Sequence, residues 1–256
     1  MTGGAASFTL GGGQATLLFL VMLRCTGLVF TAPIFGHHSL PTLVKFGFAA
    51  ALTIALATGA GLNAGSLPLM AAAPLELIIG MSLGFILGMG FEAIEMAGRV
   101  ISIQLGLSLG SVFSPTEQEA STSLDPFFSV LAGLVFLAMG LPLQVVRALA
   151  NSFAVYPVGA GLPADLAQTG AQTIALALEL GVRVALPVAL VLLLVELSVA
   201  LLARAIPQIN VFILGLPLKM LVGVAVLAMA MPSLITGAET IFRFVFNAAT
   251  GGAVSA

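Results

Sequence analysis

Six apolar segments run along the chain, from Thr16 to Phe35, Leu43 to Ala60, Pro74 to Leu109, Pro126 to Ala150, Thr173 to Arg204 and Val211 to Met231. Clusters rich in helix breakers separate them, at Gly36 to Pro41, Gly59 to Pro68, Gly110 to Asp125, Tyr156 to Pro163 and Ala205 to Asn210. A helix of about 18 to 20 apolar residues crosses a bilayer core, so the pattern predicts an all-α membrane protein of about six long helices, partly kinked and arranged in hairpins. The segment from Pro74 to Leu109 would be about 50 Å long if unbroken, more than a hydrocarbon core of about 30 Å. It must bend or project. Pro142, Pro187 and Pro217 fall inside apolar segments. Each removes a backbone donor, and kinks or breaks are expected there. The stretch from Thr236 to Ala249 groups Ile241, Phe242, Val245 and Phe246 with Glu239 and Arg243 interleaved, as in a short amphipathic helix lying on a partner or at the membrane interface.

Composition sharpens this picture. Hydrophobic residues make up 60% of the 256 and charged residues only 7%, against about 25% charged in soluble domains. Lipid or other protein is the main solvent of this surface. With a net charge of -2 and scattered Lys and Arg, no basic patch exists to neutralise phosphates, which excludes nucleic acid as a partner. The lone Cys25 lies in an apolar run and reads as a small core residue. The adjacent His37 and His38 point in different directions on most backbones and lack a third ligand. Asp125 and Asp165 stand at helix starts, where N-capping is the ordinary role, and no Gly-x-Ser-x-Gly elbow is present. The residues point to no metal, no cofactor and no enzymatic activity. The first thirteen residues are Gly-rich and hold no Lys or Arg, so insertion is expected to rely on the apolar segments instead of a secretory signal.

The placement of charge carries more information than its amount. Membrane proteins ordinarily keep charge out of helix centres, yet Arg24, Glu92, Glu95, Arg99, Arg147, Glu179, Arg183, Glu196 and Lys219 lie within or at the edges of apolar segments. Glu95 with Arg99, Glu179 with Arg183 and Glu239 with Arg243 stand at i,i+4 with the acid first, the favourable order. Arg24, Arg147, Glu196 and Arg204 have no such local partner. An ionisable side chain facing lipid costs a few kcal/mol or more, so these are expected to face protein or a watery space, as in a subunit buried in a larger assembly.

Two further patterns stand out. Gly80, Gly84 and Gly88 recur every four residues on one helix face, a surface on which another backbone can approach closely. After the third helix, Leu105, Gly106, Leu109, Gly110, Val112 and Phe113 form an apolar stretch loosened by Gly and Ser. Irregular backbone near membrane depth survives only when protein buries it or a cavity receives it. The residues fit either a gating loop or an ordinary connection between helices.

Three blocks resemble the FliR/SctT family of type III export-gate subunits. The first runs from Arg24 to Lys45 with Pro33 and Pro41 in order, and the second is Gln104 to Ser108 continuing to Phe113. The third and most specific runs from Ala205 to Lys219, with Pro207, Gly215 and Pro217, ahead of an apolar segment closing on Met231 and Pro232. The chain departs from the family pattern at Ser114-Pro115, where an Asp-Pro step is usual, and at Gly140-Leu141-Pro142, where a Gly-His step is usual.

The resemblance implies a single export-gate domain over residues 1–256, with FliP-like helices and a plug loop over about 14–125 and the remainder, including a FliQ-like hairpin, over 126–256. It implies a hetero-oligomer with FliP and FliQ homologues in the bacterial inner membrane at the flagellar basal body, near FlhA and FlhB homologues. Through that assembly unfolded flagellar subunits would leave the cytoplasm, and the segment from Gly106 to Leu124 would plug it when closed. The alternatives are an injectisome export gate and, from another class, a small-molecule transporter. A transporter should show repeated halves, and no convincing internal repeat is visible.

Overall fold

The computed structural model describes residues 12–33, 41–59, 67–107, 124–162, 166–205 and 211–250. Among these the chain forms seven α-helices and no sheet: α1 (Gly12–Thr31), α2 (Thr42–Gly59), α3 (Leu69–Leu105), α4 (Asp125–Ala138), α5 (Leu141–Val155), α6 (Leu166–Ala205) and α7 (Val211–Ala249). Four helices are long and apolar enough to cross a membrane: α1, α3, α6 and the part of α7 from Pro217 to Ala249. The protein is an all-α membrane protein.

Where it is described, each apolar segment forms helix over most of its length, and the fourth is divided. The chain turns by 70° between α4 and α5. The break falls at Met139 and Gly140, ahead of Pro142. Gly140 takes φ +65°, a left-handed conformation that glycine adopts without a Cβ penalty. Pro142 is then the second residue of α5, a first-turn position where no intrahelical donor is needed. Of the kinks or breaks expected at Pro187 and Pro217, no break occurs: α6 and α7 continue through them as helices of 40 and 39 residues. At its N-terminus α4 is capped at Leu124 with no side-chain cap hydrogen bond, and Asp125 is its first helical residue, so the capping role expected for Asp125 is not taken up.

The chain splits into two compact units. The first comprises Met1–Gly88 and Leu143–Gly170, and the second Met89–Pro142 and Ala171–Ala256. Val21, Cys25, Leu28, Val29 and Leu149 form much of the first core. In the second, Phe242 meets Phe91 edge-on at 5.1 Å between ring centroids and Phe136 at 5.6 Å, while Phe246 lies 6.3 Å from Phe136. Ile241, Phe242, Val245 and Phe246 are all buried within this chain. The expected short amphipathic helix for a partner is therefore the end of α7, and its apolar face is already covered by the protein's own aromatic side chains.

Candidate functional site: buried charge, glycine contacts and the root of the loop after α3

In the first unit, Arg24 in the middle of α1 is fully buried. Its Nε donates to Glu76 Oε2 at 2.6 Å, and Nη1 donates to the carbonyl oxygens of Ser152 (3.1 Å) and Tyr156 (3.0 Å) and to Ser152 Oγ (3.3 Å). The guanidinium carbon stands 4.3 Å from the Phe153 ring centroid, within cation–π range. The second oxygen of Glu76 accepts the Gly159 N–H at 2.9 Å, and Gly159 O accepts from Leu67 N at 3.4 Å. One ion pair thus joins α1, α3, the end of α5 and the turn that follows. At the end of α5, Ser152 O also accepts from Tyr156 N at 2.9 Å, and the guanidinium adds a cation there, the favourable sign at a helix C-terminus. Arg24 faces protein, but its counter-charge comes from this chain and not from a partner subunit. Glu76, Ser152 and Gly159 escape the sequence reading. The available signal was Glu76 itself, an acid between Leu75 and Leu77 in an apolar run.

The glycines of α3 lie against α1. A Cβ on Gly80 would collide with the Arg24 carbonyl, and one on Gly84 with Thr31 Oγ1 and with Leu28 O at 2.8 Å. Gly88 is looser, with Pro33 Cδ 3.4 Å away. The closeness is mutual: a Cβ on Gly27 of α1 would sit 2.6 Å from Leu77 O. Thr31 Oγ1 donates across the gap to Met81 O at 3.2 Å. Pro41 immediately precedes α2, where its carbonyl accepts from Val44 and Lys45.

The second unit carries its charges differently. Arg183 pairs with Glu179 at 2.7 Å with both side chains more than half exposed. Glu196 of α6 pairs across the hairpin with Lys219 of α7 at 3.0 Å. Arg99 reaches Glu92 at 3.1 Å, so the pairing expected with Glu95 is replaced by one seven residues back. Positions seven apart share a helix face over two turns, and the long guanidinium arm spans them. No ion pair joins Glu239 to Arg243, and Arg243, Arg147 and Arg204 are exposed. Around these charges, Leu186, Leu190, Leu194 and Leu201 of α6 and Leu221 and Met229 of α7 are exposed. Gly215 and Pro217 lie in the first turns of α7, and Pro207 is outside the described residues.

At the end of α3, Gly106 takes φ +79°. Its N–H donates to Ile103 O at 3.0 Å, and Leu107 N donates to Ser102 O at 3.2 Å. This pair of bonds is a Schellman motif, which stops a helix and satisfies its last carbonyls. Leu105 is buried and occupies the space a Cβ on Gly223 would need, with Leu192 beside it. Leu109, Gly110, Val112 and Phe113 lie outside the described residues.

Long apolar helices carrying paired internal charges define a membrane-embedded helical protein, and no cluster of His, Cys, Asp or Glu able to hold a metal occurs among the described residues. The family model for bacterial export proteins, family 1, matches residues 15–245, and the chain belongs to that family. It is 33% identical over 240 residues to flagellar biosynthetic protein FliR of Escherichia coli (strain K12), covering 90% of each chain. It is also 30% identical over 235 residues to FliR of Pectobacterium carotovorum subsp. carotovorum, covering 90% of this chain and 89% of that one. Against FliR of Bacillus subtilis (strain 168) the identity is 29% over 231 residues, covering 87% and 89%. The protein is a membrane-embedded component of a flagellar export apparatus.

Proposed function

We propose that the chain is a core subunit of the flagellar protein-export gate in the bacterial inner membrane. It joins FliP and FliQ homologues in a hetero-oligomer through which unfolded flagellar subunits pass, with FlhA and FlhB homologues as neighbours. In this reading it shapes a conduit and catalyses nothing. The observation that carries it is the α6–α7 hairpin, where ion pairs stand more than half exposed on their acidic side within otherwise apolar helices. Lipid is a costly surrounding for such groups, whereas protein or a water-filled channel is not. Coexpression tests the assembly: the chain should co-purify with FliP and FliQ homologues and lose stability without them. A monodisperse, stable protein that ignores both would refute it.

The segment from Gly106 to Leu124 is assigned the role of plug on the family resemblance. Deleting Gly110 to Ser114, or changing Phe113 to Ala, should let the reconstituted resting complex pass ions while complex yield is retained, because a bulky aromatic closes an apolar constriction by excluding water. A normal yield with unchanged conductance would remove Phe113 from the plug.

A further inference from the structure

In the second unit, α3 ends at a socket in the α6–α7 hairpin. α3 and α6 run in the same direction: a Cβ on Gly181 of α6 would stand 2.5 Å from Ala93 O of α3, and farther along both helices Leu105 and Leu192 converge on Gly223 of α7. A Cβ on Gly223 would overlap Leu105 Cδ2, and would lie 3.3 Å from Leu105 Cγ and 3.2 Å from Leu192 Cδ2. Leu105 and Leu192 are both buried. Turning the Leu105 methyls aside would not clear the space, because Cγ and a second side chain also crowd it. Glycine at 223 is what admits the last side chain of α3. Glu196 and Lys219 stand one turn nearer the hairpin connection, at i,i+4 from Leu192 and Gly223 and so on the same helix faces. They pair at 3.0 Å, which ties the two walls of the socket together. Beyond this level Leu193, Leu197 and Leu201 of α6 and Leu218 and Leu221 of α7 are exposed.

The socket matters because of what leaves it. Of Ile103, Gln104 and Leu105, which end α3, the first is exposed, the second half-buried and only Leu105 is buried. The bonds from Gly106 N to Ile103 O and from Leu107 N to Ser102 O set the direction of the chain relative to α3. They are internal to that helix end, and do not set where the end stands in the protein. Leu105 does. We infer that Gly223 is a positioning residue for the segment assigned the role of plug: its missing side chain seats Leu105, and the seat fixes the point from which the chain leaves α3. The inference rests on the plug reading. It gives the hairpin a part in closure that requires no hairpin side chain in the constriction.

The test uses the complex reconstituted with FliP and FliQ homologues. Gly223→Val overfills the socket and Leu105→Ala empties it. Together they move one isopropyl group from α3 to α7 and conserve volume, the kind of exchange a packed site tolerates best. Each single change should speed hydrogen exchange of the Gly106 and Leu107 amides by roughly fivefold or more and let the resting complex pass ions. The combined variant should return both readings toward those of the unaltered complex. Single variants that stay tight, whether or not exchange quickens, overturn the inference, and so does a combined variant that leaks as the singles do. Phe113→Ala is measured alongside. If it leaks while the socket variants stay tight, the inference fails and the plug reading stands; if it stays tight, the plug reading fails and takes the inference with it. Should Gly223→Val not accumulate, Leu105→Ala decides alone, because it introduces no clash: a leak supports the seat, and a tight complex with protected amides overturns it.

Discussion

Arg24–Glu76 in the first unit and Glu196–Lys219 in the second are both ion pairs between apolar helices, yet they are built to opposite plans. The first is sealed: the side-chain exposures are 0% and 2%, and four protein hydrogen bonds besides the pair itself hold Arg24 Nη1 and Glu76 Oε1, while the buried Arg24 Nη2 has no hydrogen-bond partner. The second is left open on one side, with Lys219 at 16% and Glu196 at 56%. A sealed pair has its answer within the chain and serves internal geometry. An open pair in an apolar helix needs water or another protein to complete its surroundings. The contrast separates charge that organises the protomer from charge available to whatever surrounds it.

The sharpest way to break that comparison is to remove one member of the sealed pair. Glu76→Ala strands a buried guanidinium, and truncation of one partner in such a pair costs about 3 to 5 kcal/mol. Phe242→Ala should cost a similar amount, about 3 to 5 kcal/mol, by opening a cavity in the aromatic cluster of the second unit. Denaturation of the purified protein in micelles, followed by circular dichroism, reads both. If Glu76→Ala melted like the unaltered protein, the pair would not be sealed. If Phe242→Ala did so while impairing co-purification with partners, the amphipathic reading of the α7 terminus would be restored.

The fold was largely legible because membrane helices announce themselves by length and apolarity. What the pattern missed has physical causes. The divided fourth segment depends on Gly140 at positive φ, and a glycine inside an apolar run looks the same whether it sits in a helix or ends one. The continuity of α7 through Pro217 and Pro232 runs against local propensity, since each proline lacks the N–H that an intrahelical bond needs. Arg24 was visible as a charge needing company, but its partners lie 52 and 128 residues away, beyond any periodicity. Glu179–Arg183 was visible because i,i+4 spacing is a local rule. Glu196–Lys219 was not, because only the hairpin brings the two together.

A moderate effect should come from the glycines, which sharpen the comparison by separating sealed surfaces from open ones. Gly80→Val and Gly84→Val drive a side chain into α1 backbone that has no freedom to yield, and overpacking of this kind costs about 1 to 3 kcal/mol. At Gly47, Gly133 and Gly170 an added Cβ meets nothing within 4 Å. Alanine there should leave the protomer unharmed or stabilise it by about 0.5 to 1 kcal/mol through reduced backbone entropy. Thermal melts of the five single variants give the ranking. A loss of partner co-purification in Gly47→Ala, Gly133→Ala or Gly170→Ala, with the protomer's own melt unchanged, would mark that open position as an assembly surface.

The smallest effects belong to the open pairs, and their asymmetry is the informative part. Glu179→Ala removes an exposed i,i+4 pair worth about 0.3 to 0.5 kcal/mol, and Arg243→Ala should fall within about 0.5 kcal/mol because the side chain is exposed and unpaired with Glu239. Glu196 and Lys219 differ from each other in cover. Glu196→Ala leaves behind an ammonium that is mostly enclosed by protein, whereas Lys219→Met leaves a carboxylate that is more than half open. If water completes the surroundings of Glu196, the stranded carboxylate is hydrated at little cost and Glu196→Ala is the more damaging change, by up to about 1 kcal/mol. Raising the salt concentration should leave most of that difference in place, since it is carried by the enclosed ammonium, and enclosed charge is screened much less than exposed charge. The same pair of variants in the assembled complex reads the surroundings that the protomer acquires there. A reversal of order, with Lys219→Met costing more than Glu196→Ala, would mean that Glu196 is enclosed by a partner that offers no second cation, and the open side of the hairpin would be an interface instead of a watery wall.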